Sequence, residues 1–343
     1  MKFTGKCGRI KDRKNRRRAI LAAVWGKKMY KTTVRAYAKV NLTLEIVGRE
    51  QGFHLLDSLV ASVDVYDTVI LKKRKGKLSS IVMIGQGSES IPPERNNALT
   101  AAERYSERFN TDGAEIKVLK DIPIGAGLGG SSADIAGVLM GMQRLYGAAT
   151  EAELESLAEE LGSDVKYMLK GGYMRMQGRG ERLTPLVGKF EPLHFLMLCP
   201  KEGVSAGGCY REYDRLHETD EPTGATDRAI QSLTENDLEG LAAAFQNDLY
   251  PPAASLCGAV AQAMEEAKAF SPKGVVMTGS GSAVLALFET AELCRWAKSR
   301  YRGKSRAMVL KTVEPQTIKA GVSFPFALTD EEREQIEKEV NKE

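Results

Sequence analysis

Residues 121–147 read "DIPIGAGLGGSSADIAGVLMGMQRLYG", and four glycines (Gly125, Gly127, Gly129 and Gly130) fall within six positions. Glycine is costly in conformational entropy, so such density marks a backbone that must stay bare. The preceding "AEIKVLKDIPI" alternates as a strand. Beyond the loop, Ile135, Val138, Leu139, Met142, Leu145 and Tyr146 recur at helical spacing, with Gly147 placed as a C-cap. A bare loop opening a helix suits an anion, because the helix start presents unpaired N–H groups and partial positive charge. Ser131 and Ser132 add hydroxyls there. An N-cap serine in a tight turn explains one Gly-Ser step, but four glycines favour phosphate binding.

The residues beyond Gly130 narrow the type of phosphate loop. Ser131, not a Lys, directly follows Gly130, so the Gly-Lys-Ser/Thr closure of a P-loop is missing. Gly125, Gly127 and Gly130 satisfy G-x-G-x-x-G formally, but the next segment is a second helix, opened by the capping-box pair Thr150 and Glu153. The dinucleotide reading stays open but weakened.

Working outward, "TTVRAYAKVNLTLEIV" (32–47) reads as a strand, "GREQGFHLL" as a turn and short connection, and "LVASVDVYDTVILKK" and "KGKLSSIVMIG" as further strands. "RNNALTAAERYSERF" has helical spacing, and the helix after Thr150 stops at Gly162. A short helix in "SDVKYMLKGG", a hairpin in "YMRMQGRGERLTPL" and a buried strand in "HFLMLCP" come next. Residues 219–226 read as loop, two helices are predicted around 233–247 and 256–269, and "KGVVMTGSGSAVLALFE" reads as strand, glycine turn, strand. "AELCRWAKSRY" is helical, "AMVLKTV" a last strand, and residues 329–343 a charged, capped helix.

Three groups suggest chemistry. Lys39 and Asn41 lie two apart and so share one face of a strand. Asp164, in "ELGSDVKYM", sits at a helix start, where taken alone it reads as an N-cap. An acid and a lysine meeting beside bound phosphate would instead suit phosphoryl transfer, with Asp taking the hydroxyl proton and Lys holding charge in place. The turn in "MTGSGSAVLALF" is either a plain hairpin turn or a second backbone nest.

Charge is unevenly spread. The first 33 residues hold twelve Lys or Arg and one acid, which leaves the remainder at −7 against a total of +4. The basic segment permits a nucleic-acid arm, a transit-type leader or an unstructured extension, with Met29 as a natural start. The extension is the preferred reading, and the acidic body argues against nucleic acid. No apolar stretch approaches a membrane span. Five scattered cysteines without C-x-x-C, and three separated histidines, predict reduced thiols and no protein-built metal cluster.

With these residues assembled, the chain resembles the GHMP kinases (galacto-, homoserine, mevalonate and phosphomevalonate kinases) from about residue 34 to about residue 313. Within them it is most similar to the branch acting on 4-diphosphocytidyl-2-C-methyl-D-erythritol in non-mevalonate isoprenoid synthesis. "AKVNLTLEIVGREQGFHLL" carries the narrower likeness, while "PIGAGLGGSSAD" resembles the ATP loop and "VVMTGSGSAV" the C-terminal glycine motif.

The resemblance implies an α+β, two-domain GHMP kinase fold, with a ribosomal-protein-S5-domain-2-like N-terminal domain and a ferredoxin-like C-terminal one. The expected divisions are a disordered basic extension over 1–33, an ATP-binding domain over 34–188, a C-terminal domain over 189–313 and a charged tail over 314–343. By motif, Asp164 would be the catalytic base and Lys39 its charge partner, with Asn41 orienting the acceptor hydroxyl. Gly127, Gly129, Gly130, Ser131 and Ser132 would cradle ATP phosphates, Pro123 and Gly125 would also bind ATP, and Asn97 and Lys120 would lie near the adenine. Phe53 and His54 would hold the cytosine, Tyr210 would stack on its other face, and Gly279, Ser280 and Gly281 would close on the substrate phosphates.

The implied cofactors are ATP and Mg2+, with no metal held by the protein's own ligands. The implied setting is a cytoplasmic monomer or homodimer with a small cytidyl diphosphate substrate and neither nucleic-acid nor membrane partners. Another small-molecule GHMP kinase, acting on a different alcohol, is the alternative. Four positions depart from the pattern: Phe53 for a tyrosine, Gln51 for an acid, Lys166 for a proline, and a serine register in which Ser131 stands for a glycine and Ala133 for a serine. Lys166 is expected to place a charge near the active site.

Overall fold

A computed structural model describes residues 30–314 apart from 86, 88–91, 93–95, 218–219 and 221. Nearly all of the predicted basic extension, and the predicted helix over 329–343, lie outside the described residues. The first half runs β1 (Lys31–Asn41), β2 (Thr43–Glu50), β3 (Phe53–Lys73), β4 (Ser80–Ile84), α1 (Asn97–Phe109), β5 (Ala114–Leu119), α2 (Gly130–Tyr146), α3 (Glu151–Leu161), α4 (Val165–Lys170), β6 (Met174–Gly178) and β7 (Arg182–Pro185). The second half runs β8 (His194–Cys199), α5 (Ala206–Leu216), α6 (Ala225–Thr234), α7 (Leu238–Ala243), β9 (Gln246–Asn247), α8 (Tyr250–Leu256), α9 (Gly258–Lys268), β10 (Gly274–Met277), β11 (Val284–Phe288), α10 (Ala291–Arg300) and β12 (Arg306–Lys311).

The 21-residue β3 is the spine of the first sheet. Its N-terminal half pairs with β2 and β6, and its C-terminal half with β5, while β1 runs antiparallel to it from Lys31 opposite Lys72 to Asn41 opposite Val60. The expected single strand over 32–47 is therefore two strands, broken at Leu42, whose amide bonds the Leu59 carbonyl at 2.8 Å. Pairing of both strands with β3, not propensity, imposes that break. The expected connection after the Gln51–Gly52 turn is strand from its first residue.

α2 packs on β1 and β3, and most of its residues are buried. A Cβ on Gly141 would lie 2.1 Å from Leu71 Cδ1, so only glycine lets the helix lie this close to the sheet. The capping box forms as expected: the Thr150 amide donates to Glu153 Oε2 at 2.9 Å, and the Glu153 amide donates to Thr150 Oγ1 at 3.3 Å.

The second sheet is antiparallel in the order β10-β11-β8-β12. Taken with α9 and α10, which pack on it, its chain order is β-α-β-β-α-β, the split topology of ferredoxin-like folds. Alternate residues serve two cores: Phe195, Met197 and Leu285 face the core shared with the first sheet, and Leu196, Leu198 and Val284 face α9 and α10. β9 crosses back to pair in parallel with β2.

The helix expected over 233–247 is instead α6 and α7, separated by Asn236 in the left-handed region (φ 56°), with β9 beyond. Asp237 then caps α7 by accepting from the Gly240 amide at 3.0 Å. The expected loop over 219–226 gives way to α6 at Ala225, and the segment 256–269 divides between the end of α8 and α9. α5 was not anticipated, because two glycines occupy its first turn; Ser205 starts it by accepting from the Gly208 amide. Cys199, Cys209, Cys257 and Cys294 are free, and among the described residues no helix is long and apolar enough to cross a membrane.

Candidate active site

The glycine loop is a wall between two cavities. One, of about 380 Å³, is lined by Asn96, Asn97, Lys120, Asp134 and the loop from Pro123 to Ser132. The other, of about 390 Å³, is lined by Lys39, Asn41, Asp164, Arg179, Tyr210, Gly279 and Ser280. Gly127, Gly129 and Ser132 border both, whereas Ser131 borders only the first. The first turn of α2 opens at this wall, so its unpaired amides are directed to where the cavities meet.

The second glycine turn closes on the first. Ala283 donates its amide to the Ala126 carbonyl at 3.2 Å, and a Cβ on Gly127 would lie 2.3 Å from the Thr278 carbonyl oxygen. Bare backbone at this contact is therefore obligatory. Gly279 and Ser280 reach the second cavity; Gly281 lies within the turn, its amide donating to the Thr278 carbonyl at 3.0 Å.

Across the second cavity, β1 and the start of α4 bring Lys39 and Asp164 together, with Nζ 3.5 Å from Oδ2. Asp164 precedes α4 but makes no side-chain cap bond, so its carboxylate is left for the cavity. Lys39 is 7% exposed and Asp164 28%. Lys39 Nζ also donates to Asn41 Oδ1 at 2.7 Å, and Asn41 Nδ2 donates to Ser58 Oγ at 2.7 Å. The Asn41 amide donates to Thr278 Oγ1 at 2.9 Å, which ties this row to the second glycine turn. One partly open carboxylate thus faces a buried ammonium whose position is fixed from behind.

On the other side of the wall, Lys120 is buried between Asp67 and Asp134, the latter at 2.6 Å. Burial pulls its ammonium down, but the charges of Asp134 and Asp67 outweigh this and hold it up. Burial raises Asp134, the Lys120 charge opposes that rise and Asp67 adds to it, and the net direction is up. Among the described residues Asp134 Oδ1 has no partner. Asp67 Oδ1 accepts from the Asp121 and Ile122 amides at 2.7 and 2.9 Å, fastening the strand end where the loop begins. Lys120 therefore lines the cavity expected for adenine, yet its ammonium is committed to bracing the loop. Asn97 is exposed on the rim, while neighbouring Asn96 is buried as the α1 N-cap, its Oδ1 accepting from the Ala98 and Leu99 amides.

The aromatic group adjoins the second cavity, which Tyr210 lines and His54 and Phe53 do not. His54 stacks on Tyr210, with centroids 4.9 Å apart and an interplanar angle of 25°, and its Nε2 lies 2.7 Å from Asp214 Oδ1. Burial pushes the Tyr210 hydroxyl well up, so it stays protonated. Phe53 is 52% exposed, and the Arg179 guanidinium carbon sits 3.7 Å above its ring centroid. The expectation for Lys166 is corrected: its ammonium pairs with Glu159 and reaches Glu155 at 4.0 Å, both on α3, and it does not line the cavity.

Sequence reasoning missed Asp67, Asp214 and Arg179. Each acts through a partner more than 50 positions away, and no local signal marks it. Among the described residues no group of three or more His, Cys, Asp or Glu is placed to hold a metal ion.

Comparison with known proteins agrees with this architecture. Residues 96–174 match the GHMP kinases N terminal domain and residues 229–295 the GHMP kinases C terminal. The chain is 33% identical over 268 residues to the 4-diphosphocytidyl-2-C-methyl-D-erythritol kinase of Clostridium beijerinckii, covering 76% of this chain and 93% of that one. It is 34% identical over 269 residues to the enzyme of that name from Caldanaerobacter subterraneus subsp. tengcongensis, covering 76% and 90%. A crystal structure of 4-(cytidine 5'-diphospho)-2C-methyl-D-erythritol kinase superposes with a TM-score of 0.69 at 30% identity, covering 82% of this chain and all (100%) of that one. The mevalonate kinase of Methanococcus jannaschii shares the fold, with a TM-score of 0.65 at 14% identity over 84% of this chain and 100% of its own. With a glycine loop walling off an Asp–Lys pair and relatives matched along nearly their whole length, the chain belongs to the GHMP kinase family.

Proposed function

We propose that this protein transfers the γ-phosphoryl group of ATP to the 2-hydroxyl of 4-diphosphocytidyl-2-C-methyl-D-erythritol. The observation that carries the reading is the shared wall. A donor phosphate cradled by the loop and an acceptor hydroxyl beside Asp164 would meet across Gly127, Gly129 and Ser132. Phosphoryl transfer needs little covalent help from the protein, so positioning and charge stabilisation supply most of the catalysis.

In this reading Asp164 accepts the proton of the attacking hydroxyl. Lys39, held by Asn41, stabilises the ionised carboxylate and the charge that develops beside it. The amides opening α2 stabilise the transferring phosphoryl oxygens. Phe53, His54 and Tyr210 hold the cytosine, a stacking arrangement worth roughly 1–3 kcal/mol per base.

The donor set fits a nucleotide-borne Mg2+, an ion commonly held by substrate phosphates with few protein ligands. Ser131 and Ser132, whose hydroxyls no described residue engages, would meet it. When bound, it would neutralise charge on the β- and γ-phosphates. The test is coupled ATP consumption with the cytidyl substrate against mevalonate, homoserine and galactose. Turnover selective for the cytidyl substrate supports the reading, and selective turnover of another alcohol replaces it with a different GHMP kinase activity.

A further inference from the structure

The turn between β6 and β7 brings Arg179 to the rim of the Asp164 cavity in an unusual state. Its neighbour Arg175 is fully paired, with Asp57 at 2.5 Å and Asp227 at 2.8 Å. Arg179 has no carboxylate partner among the described residues. The nearby Glu181 spends Oε2 on the Arg179 backbone amide at 2.6 Å, and the guanidinium meets only the neutral Gln51 Oε1 at 3.5 Å. What holds it is the Phe53 ring, 3.7 Å below.

A guanidinium stacked on a ring uses its face, while its N–H donors lie in the plane and stay available to an anion. The other ammonium of the cavity, Lys39, is already matched by Asp164. A cytidyl diphosphate entering between the aromatic group and the Asp–Lys pair carries its phosphates past an uncompensated cation that offers the bidentate geometry phosphate oxygens favour. Arg179 lines this cavity and not the nucleotide-side one, so the anion it meets is the acceptor's diphosphate and not the ATP phosphates.

We propose that Arg179 is a specificity-determining residue that binds the diphosphate of the cytidyl substrate while its face rests on Phe53. This rests on the cytidyl reading above. With the guanidinium covering one face of Phe53, the base takes the other. Gln51 keeps the cation free where an acid would neutralise it.

The test titrates CDP, cytidine and ADP into the wild-type protein, Arg179→Ala and Arg179→Lys, with thermal midpoints measured alongside. Loss of a charge-assisted contact predicts that Arg179→Ala weakens CDP binding by about tenfold or more. Cytidine and ADP are expected to stay within about twofold, and Arg179→Lys to retain part of the CDP affinity without the bidentate geometry. In turnover, the KM for the cytidyl substrate rises while kcat and the KM for ATP hold. Equal losses for CDP and cytidine would make Arg179 a prop for the ring and overturn the proposal, as would a loss for ADP or none for CDP. A wild-type protein that binds ADP but not CDP sinks the cytidyl reading itself, and the proposal with it.

Discussion

Replacing Asp164 by Asn removes a proton acceptor while changing almost nothing else. The side chain caps no helix and has one charged partner, Lys39, at 3.5 Å. At an effective dielectric of about 20, that separation corresponds to about 5 kcal/mol of Coulomb attraction, a ceiling on what the pair contributes. With Asp164 28% exposed, solvent screening brings the stability term to about 1 kcal/mol, and an amide oxygen keeps the ammonium hydrogen-bonded. The thermal midpoint should therefore fall by only about 2–4 °C.

Catalysis has more to lose. A positioned general base contributes about 10²–10⁴ in rate, which corresponds to about 3–5 kcal/mol of transition-state stabilisation. Coupled ATP turnover should show kcat reduced by that factor, with KM values for both substrates within about threefold, because the lost interaction forms only in the transition state. A variant within about tenfold of wild-type kcat would refute the assignment. So would a collapse of the thermal midpoint, which would make Asp164 a structural residue.

The two serines of the shifted register should separate in the same assay. Ser132→Ala, altering a residue that borders both cavities, should lower kcat, whereas Ser131→Ala should act mainly on the KM for ATP. Asp134 should make stability pH-dependent. Its native value is raised by burial, so its contribution is full below the ordinary carboxylate value of about 3.9 and is lost as pH rises through the raised one. Thermal midpoints across that window should decline in the wild type and flatten in Asp134→Asn; parallel profiles would count against it. Burial pushes Cys199 and Cys294 up to about 12 and Cys209 up to about 11, so in the folded protein these thiols should resist alkylation while Cys257 reacts. Peptide mapping after brief labelling, with and without denaturant, reads this directly.

The glycine loop and α2 were legible because their signals are local: glycine density, helical spacing and a capping box within some thirty residues. The strands of the second sheet and the helices that follow them were legible in the same way, but α5 was not, since Gly207 and Gly208 conceal that helix from propensity. The break at Asn236 was illegible for a similar reason, because one left-handed residue ends α6 where apolar spacing continues. Composition and spacing alone left Asp164 an N-cap; its empty cap and its 3.5 Å approach to Lys39 come from tertiary packing. Asp67 escaped notice because nothing in "VYDTV" shows that its carboxylate will hold two amides and an ammonium more than 50 residues away.

The contact between the two glycine turns has a consequence for how the enzyme can breathe. Ala126 and Ala283 are joined by a main-chain bond at the point where Gly127 presses on Thr278, and Asn41 reaches the same turn. Swinging the two lobes apart at this seam would pull the first glycine loop from its backing and loosen the row that positions Lys39. A wide clamshell motion would thus dismantle the site it opens. Ligand exchange is better served by the outer rims, the Asn97 edge of one cavity and the Arg179 turn of the other, past a rigid midline.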